Sequence, residues 1–489
     1  MSPILSLPPA TMALFWLPTL ACAVVEVALP AQRALRALLS LAGPVAVLGV
    51  VGFLWPEVAG QSPPLATFLG DGFGRFALGT IWVLAFFAIA LRRGEEPRSA
   101  DGGDTLLLLS AAGGSLLVLS ADLFATLSGF ALTLVPVWGL ASVSGRIEGR
   151  EAALKGLLAG VLSLVLFALG SALILAATGH STLAGIGGFL RDLPPGEALP
   201  PLLAPGVALL LGGLGLFVAA VPLHMWFSDL AEGLPASASL WLTGGVLVAG
   251  LAVSARILLT ALLPLAQHPQ IGWVELLRGV GLVALLVANA VALVQSRLQR
   301  MAGYLAAGQT GFLLLGIAAA GEVRGEGEHI VGGILVFLLV HALTWAGLYA
   351  GFSRLTGPEP PRVSHLEGLA RQCPWLAAVM GLALLCLSGM PLTAGFFSRL
   401  VLLEAMVSAG WTGTAVLAAL SLGLVLVMSL GLVAAMVMRP PTSASPRPTG
   451  VWPALAAAVT AVAILAIGFL PGGVLRVALQ AARSLALGF

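Results

Sequence analysis

The chain has 489 residues, of which 59% are hydrophobic and only 9% charged, and its 23 basic and 21 acidic residues leave a formal net charge of +2. So few polar groups cannot clothe a water-soluble domain of this length, so the bilayer is its solvent, and no stretch remains for an extramembrane catalytic domain. Nucleic-acid binding has no support, and Cys22, Cys373 and Cys386 stand isolated in apolar surroundings as packing residues, with no spacing for a disulfide frame, zinc or an iron–sulfur cluster.

A span needs about 20 predominantly apolar residues, which makes this an all-α, polytopic membrane protein of about fourteen transmembrane helices. The N-terminus lacks a basic region and a small-residue cleavage site, so the first apolar segment is expected to stay as an anchor. Spans are predicted near 10–30, 36–55, 74–91, 104–120, 123–145, 152–177 and 204–226. Seven more follow near 236–262, 272–295, 299–320, 330–353, 374–408, 412–437 and 451–470. The segment 374–408 is too long for one straight helix and carries Pro391 and Gly395 at its middle, which predicts a broken helix.

Positive residues crowd the loops after odd-numbered spans, among them Arg92, Arg93, Arg146, Arg150, Lys155, Arg297, Arg300, Arg354, Arg362, Arg371 and Arg439. Even-numbered loops hold few, and the acidic Glu322, Glu326 and Glu328 fall there. The positive-inside bias therefore places the odd loops in the cytoplasm and both termini outside the cell's inner (plasma) membrane.

Proline interrupts an apolar helix twice, at Pro222 in the seventh span and at Pro391 in the twelfth, five spans apart. Matched interruptions suggest two repeats with one discontinuous helix each, where polar backbone at membrane depth borders a cavity. Two ordinary proline kinks would leave the same trace.

Four ordered motifs carry a resemblance. Pro222, His224, Trp226, Asp229, Gly233 and Pro235 resemble a PxHxWxPDxxxGAP signature, and Gln295 to Tyr304 resemble a Q-x-x-L-K-R-x-L-A-Y loop. Gly368, Leu369 and Pro374 resemble G-L-x-x-x-x-P, and Leu387 to Arg399 are similar to S-L-x-G-x-P-P-x-x-G-F-x-x-K. All four belong to the antiporter-like membrane subunits of respiratory complex I and related complexes, and the likeness, over roughly 100 to 440, is greatest to the NADH-quinone oxidoreductase subunit N branch. The resemblance implies a single transmembrane domain over 1–489, with two inverted five-helix repeats at about 104–262 and 272–437, broken seventh and twelfth helices, and flanking helices at 10–91 and 451–489.

The family's mid-membrane charges are largely missing. Its fifth-helix Glu aligns with Ala131, its seventh-helix Lys with Phe217, its eighth-helix Lys with Leu247 and its eleventh-helix Lys with Trp345, while Arg399 keeps the twelfth-helix basic position. A Lys can switch charge when buried, whereas Arg stays protonated, so Arg399 is a poor proton relay. The remaining proton- or ion-pathway candidates are His224, His341, Arg399, Glu404, Asp229 and Glu232, with Asp122 beside them. His224 either bonds a carbonyl freed at Pro222 or joins a water-linked path, and His341 belongs to a polar network. Asp229 and Glu232 are expected on the outer side as solvated or helix-capping carboxylates. Arg399 is expected to pair with Glu404 or with an acidic residue of a neighbouring subunit, Arg256 to snorkel to the interface, and Asn289, Tyr304 and Gln309 to hold water in the second repeat.

The leading functional reading is a membrane-arm subunit of a complex I-type assembly, an NADH-quinone oxidoreductase or a related hydrogenase. It contributes proton or ion translocation coupled to electron transfer, with pumping degenerate or lost. It has no catalytic site, metal or cofactor of its own; its partners are homologous antiporter-like subunits, redox subunits, lipid, and protons or cations. The alternatives are a subunit of a cation/proton antiporter or inorganic-carbon transporter, and a non-conducting scaffold.

Overall fold

The computed structural model describes residues 17–24, 33–54, 68–95, 102–143, 147–194, 198–323, 325, 327–355, 360–441 and 450–486. Residues 17–24 are helical, and the rest of the span expected near 10–30 lies outside the described residues. Next come α1 (Arg33–Leu54), α2 (Gly72–Arg92), α3 (Gly103–Leu119), α4 (Leu123–Ser142), α5 (Ile147–Thr178) and α6 (Leu183–Asp192). The seventh span is split into α7 (Leu203–Phe217) and α8 (Met225–Gly233), and α9 (Ala236–Thr260) contains a π-helical stretch at Trp241–Val246. Then follow α10 (Trp273–Leu293), α11 (Leu298–Glu322), α12 (Gly327–Leu355), the split pair α13 (Pro374–Ser388) and α14 (Ala394–Ser408), α15 (Thr412–Met438), α16 (Val451–Phe469) and α17 (Pro471–Ala486).

Among the described residues there is no strand, only isolated backbone bridges such as Arg297–Arg362. In hydrocarbon every backbone polar group must be satisfied within the protein, and a helix does this inside its own segment. Nine described helices are long and apolar enough to cross a bilayer, and α1, α3, α7 and α13 are shorter apolar helices at other expected spans. Five elements run α3, α4, α5, α7–α8, α9, and five more run α10, α11, α12, α13–α14, α15, with the break fourth in each set. Five crossings reverse the direction of the chain, so the second set is inverted relative to the first.

Helices α9, α11 and α12 are buried along almost their whole length, whereas α5, α10, α15 and α16 turn apolar faces outward. Without a hydrophobic drive between helices in lipid, close backbone approach and internal hydrogen bonds hold the bundle. At the α10–α11 crossing a methyl group on Gly311 would lie 2.6 Å from the Gly281 carbonyl oxygen, so only glycine allows that approach. Two buried tryptophans find hydroxyls: Trp82 Nε1 donates to Ser115 Oγ at 3.0 Å and Trp241 Nε1 to Ser110 Oγ at 2.7 Å.

Two amphipathic helices lie outside the expected spans, α6 before the seventh and α17 after the last. On α17, Ala478, Ala481, Ala482 and Leu485 are buried, and Ser484 Oγ accepts the Phe73 N–H at 3.0 Å at the start of α2.

Candidate functional site

The second break, Gly389 to Thr393, begins where Gly389 ends α13 with φ of 77°, a conformation that costs glycine least. Its last-turn carbonyls point past the helix end, where partial negative charge accumulates. Arg399, on the first turns of α14, fills that position. Its Nη1 donates to Cys386 O at 3.2 Å and Gly395 O at 3.0 Å, and its Nη2 donates to Leu387 O at 2.7 Å and Gln309 Oε1 at 2.6 Å. A side chain at Gly395 would collide with the Cys386 carbonyl, which makes this residue's lack of one a condition of the cradle. The guanidinium also lies 5.5 Å from the Phe337 ring centroid. Carbonyl dipoles, an amide oxygen and a ring face thus stabilise the buried charge.

The expected Arg399–Glu404 pair does not form. Glu404 is exposed on the opposite flank of α14, and among the described residues no carboxylate touches Arg399. The physical reason is angular: five residues turn a helix by about 500°, well past one revolution, so the two side chains diverge by well over a quarter turn.

His341 is buried on α12, and its Nε2 meets Thr243 O, in the π-helical stretch of α9, at 2.8 Å. A carbonyl only accepts, so Nε2 carries the proton and, in the neutral ring, Nδ1 is an acceptor. That Nδ1 has no partner, nor have Gln309 Nε2, Arg399 Nε and Asn289 Oδ1, so this half retains spare hydrogen-bonding capacity at membrane depth. Asn289 Nδ2 donates to Ser421 Oγ at 3.0 Å, joining α10 to α15. His224 follows the first break, with its ring 5.6 Å from Tyr304 in an edge arrangement; it interacts with the Pro222 carbonyl and its Nδ1 is unpartnered.

In the first half Phe217, expected at the place of the family's seventh-helix Lys, has its ring centroid 4.2 Å from Phe130, which stacks on Phe167 at 4.8 Å. All three are fully buried, as are Leu247 and Trp345; Ala131 is half-buried. Trp345 instead presents an edge to His341 at 5.9 Å.

Asp229 and Glu232 lie on the Arg-rich side, not opposite it as expected. Both lie on α8 with the Arg-rich loops: Lys155 reaches Asp229 at 2.8 Å, Arg300 reaches Asp229 at 3.2 Å and Glu232 at 3.5 Å, and Arg297 pairs with Glu232. The break at 218–224 carries the chain onward in its original direction, so α8 ends on the side where α5 and α11 begin. These carboxylates are ion-paired and cap no helix. Asp122, in contrast, caps α4 through the Phe124 N–H at 2.8 Å and accepts the Ser181 hydroxyl.

Arg256 does not snorkel. It is 1% exposed, and its Nη1 and Nη2 each meet an Asp71 oxygen at 2.7 Å, while Asp71 also caps α2 through the Gly74 N–H at 2.8 Å. Sequence reasoning passed over Asp71, although an Asp directly before an apolar helix is a capping signal. It also missed Glu95, which accepts both the Ser237 N–H at 2.7 Å and the Ser237 hydroxyl at 2.9 Å and so closes the start of α9.

Two discontinuous helices, one ending in an aromatic cluster and the other around a buried cation, define the class: an antiporter-like, multi-pass membrane protein. The chain belongs to the NADH:quinone oxidoreductase/Mrp antiporter transmembrane family, whose description matches residues 120–426. It is 33% identical over 451 residues to NADH-quinone oxidoreductase subunit N 1 of Sorangium cellulosum, covering 88% of this chain and 87% of the relative. It is 30% identical over 387 residues to NADH-quinone oxidoreductase subunit N of Cupriavidus taiwanensis, covering 78% and 77%. A chain of respiratory complex I from Thermus thermophilus with bound Aureothin superposes with a TM-score of 0.80 at 28% identity, over 95% of this chain and 98% of its own. A chain of the Mrp complex from Dietzia sp. superposes with a TM-score of 0.85 at 21% identity, over 97% of each chain, a likeness of fold.

Proposed function

We propose that this chain is an antiporter-like membrane-arm subunit of a complex I-type assembly in the inner membrane, seated beside homologous subunits and serving ion translocation coupled to electron transfer. Its relatives' names support the assembly, and the alternation of Arg-rich loops supports termini on the outer side. The repeats are taken as about 104–262 and 272–437. Within them, the pathway role falls on His341, Arg399 and His224 at membrane depth, with Asp229 and Glu232 at the cytoplasmic mouth and Glu404 at the outer flank.

The observation that carries this reading is the contrast between the two breaks. The first ends at the Phe130–Phe167–Phe217 cluster, which offers a proton no donor or acceptor. The second holds a buried guanidinium, and ionisable groups at such depth are costly enough to mark function. Pumping through the aromatic cluster is therefore lost, and what conduction this subunit retains runs through the second half, which His224 adjoins at Tyr304.

The test is isolation of the chain from native membranes in mild detergent, with stoichiometric partners identified by mass spectrometry. Redox subunits and homologous membrane subunits support the assembly. A partner set without redox subunits overturns it in favour of a cation/proton antiporter or inorganic-carbon transporter.

A further inference from the structure

Arg354 ends α12 on the same side as Arg297 and Arg300, and it is only 6% exposed. Its Nε and Nη1 have no hydrogen-bond partner, and among the described residues no carboxylate pairs with it. An uncompensated buried guanidinium is costly, and Arg does not shed its proton to escape that cost. Arg399 solves the same problem with four carbonyl and amide oxygens. Arg354 has no such cradle.

Its surroundings are suited to an anion. Helices α12 and α13 run antiparallel in contact, with Gly347 against Ala383 and Gly351 against Met380. One turn further, Arg354 lies level with the first turn of α13, the helix that Cys373 precedes. No side chain caps α13; Pro374 has no N–H, and the Leu376 and Ala377 N–H groups bond the Cys373 carbonyl at 3.1 Å, so the Trp375 N–H and the positive dipole end are what the helix start offers beside the unpartnered guanidinium. Trp375 there is 41% exposed, an indole at the depth where aromatic residues meet lipid headgroups, and Arg371 is exposed beside it.

We propose that Arg354 and the first turn of α13 bind a phosphate group bearing net negative charge, supplied by an anionic phospholipid of the leaflet on the Arg-rich side. The Arg fork matches two phosphate oxygens, the Trp375 N–H adds one donor at the helix start, and the Trp375 ring packs on the glycerol region. A zwitterionic lipid offers the same phosphate with its charge already compensated, so it satisfies Arg354 less well.

The full chain, purified in detergent and stripped of lipid, is titrated with phosphatidylglycerol and separately with phosphatidylcholine, and bound lipid is read by native mass spectrometry. The unaltered chain is expected to hold phosphatidylglycerol about tenfold more tightly, and R354Q to lose that preference. R354K, which keeps the charge without the fork, is expected to bind phosphatidylglycerol about fivefold less tightly than the unaltered chain and provides the decision if R354Q does not fold. Excess inorganic phosphate that fails to displace the lipid identifies the headgroup as the source, whereas displacement assigns the site to free phosphate. The proposal is overturned if the unaltered chain shows no preference for the anionic lipid, if the preference survives in R354Q, or if R354K binds as the unaltered chain does.

Discussion

Arg256 and Asp71 face each other as fork and carboxylate, two 2.7 Å hydrogen bonds joining α9 to the start of α2, with Arg256 almost wholly buried. The Phe73 ring lies 5.1 Å from the guanidinium and completes its surroundings. Removing the carboxylate alone strands a buried charge, which costs about 3–5 kcal/mol, and D71A also forfeits a helix cap worth about 1 kcal/mol. Replacing both partners by apolar residues avoids the stranded charge. We therefore expect D71A to lower the unfolding midpoint in detergent far more than the D71L/R256M pair does, and equal losses would show that the pairing contributes nothing.

Phe217 predicts the behaviour of the first half. Trimming a fully buried ring in such a cluster costs about 3–5 kcal/mol through lost contacts and a residual cavity. F217A should therefore lose stability in a thermal-shift measurement while proton translocation by the reconstituted assembly stays at the unaltered level. A fall in translocation out of proportion to the loss of folded protein would mean that this half conducts.

His341 is the sharper test of the second half. H341A removes the ring that links α12 to the Thr243 carbonyl and a titratable imidazole near Arg399 at that depth. Translocation per turnover is expected to fall by about a hundredfold, the lower end for loss of a proton-transfer group. H224A should lower it as well. Unchanged pumping in vesicles by both variants would sink the pathway role and leave the scaffold reading standing.

The charged network around α8 contains pairs of unequal weight. Lys155 and Asp229 are 45% and 21% exposed as side chains, so K155A should cost about 0–1 kcal/mol and less at high salt. Glu232 is 6% exposed and faces both Arg297 and Arg300, so E232Q should cost several times more, about 2–4 kcal/mol. Urea unfolding at two salt concentrations separates the two, and equal small effects would place Glu232 in water.

Much of the architecture was legible before any coordinates. Span positions follow from the length of apolar runs, and the breaks follow from Pro222 and Pro391, because both signals are local: a bilayer demands about 20 apolar residues whatever their neighbours, and proline removes a backbone donor wherever it stands. The tertiary structure decided who partners whom. Asp71 and Arg256 are 185 positions apart, Gln309 and Arg399 are 90 apart, and Glu232 finds Arg297 across 65 residues. Which charge a buried group meets depends on helix rotation and on the course of the chain through each break. A window of sequence records neither, so Arg399 met carbonyls and Gln309 in place of Glu404, and Asp229 and Glu232 came to the Arg-rich side.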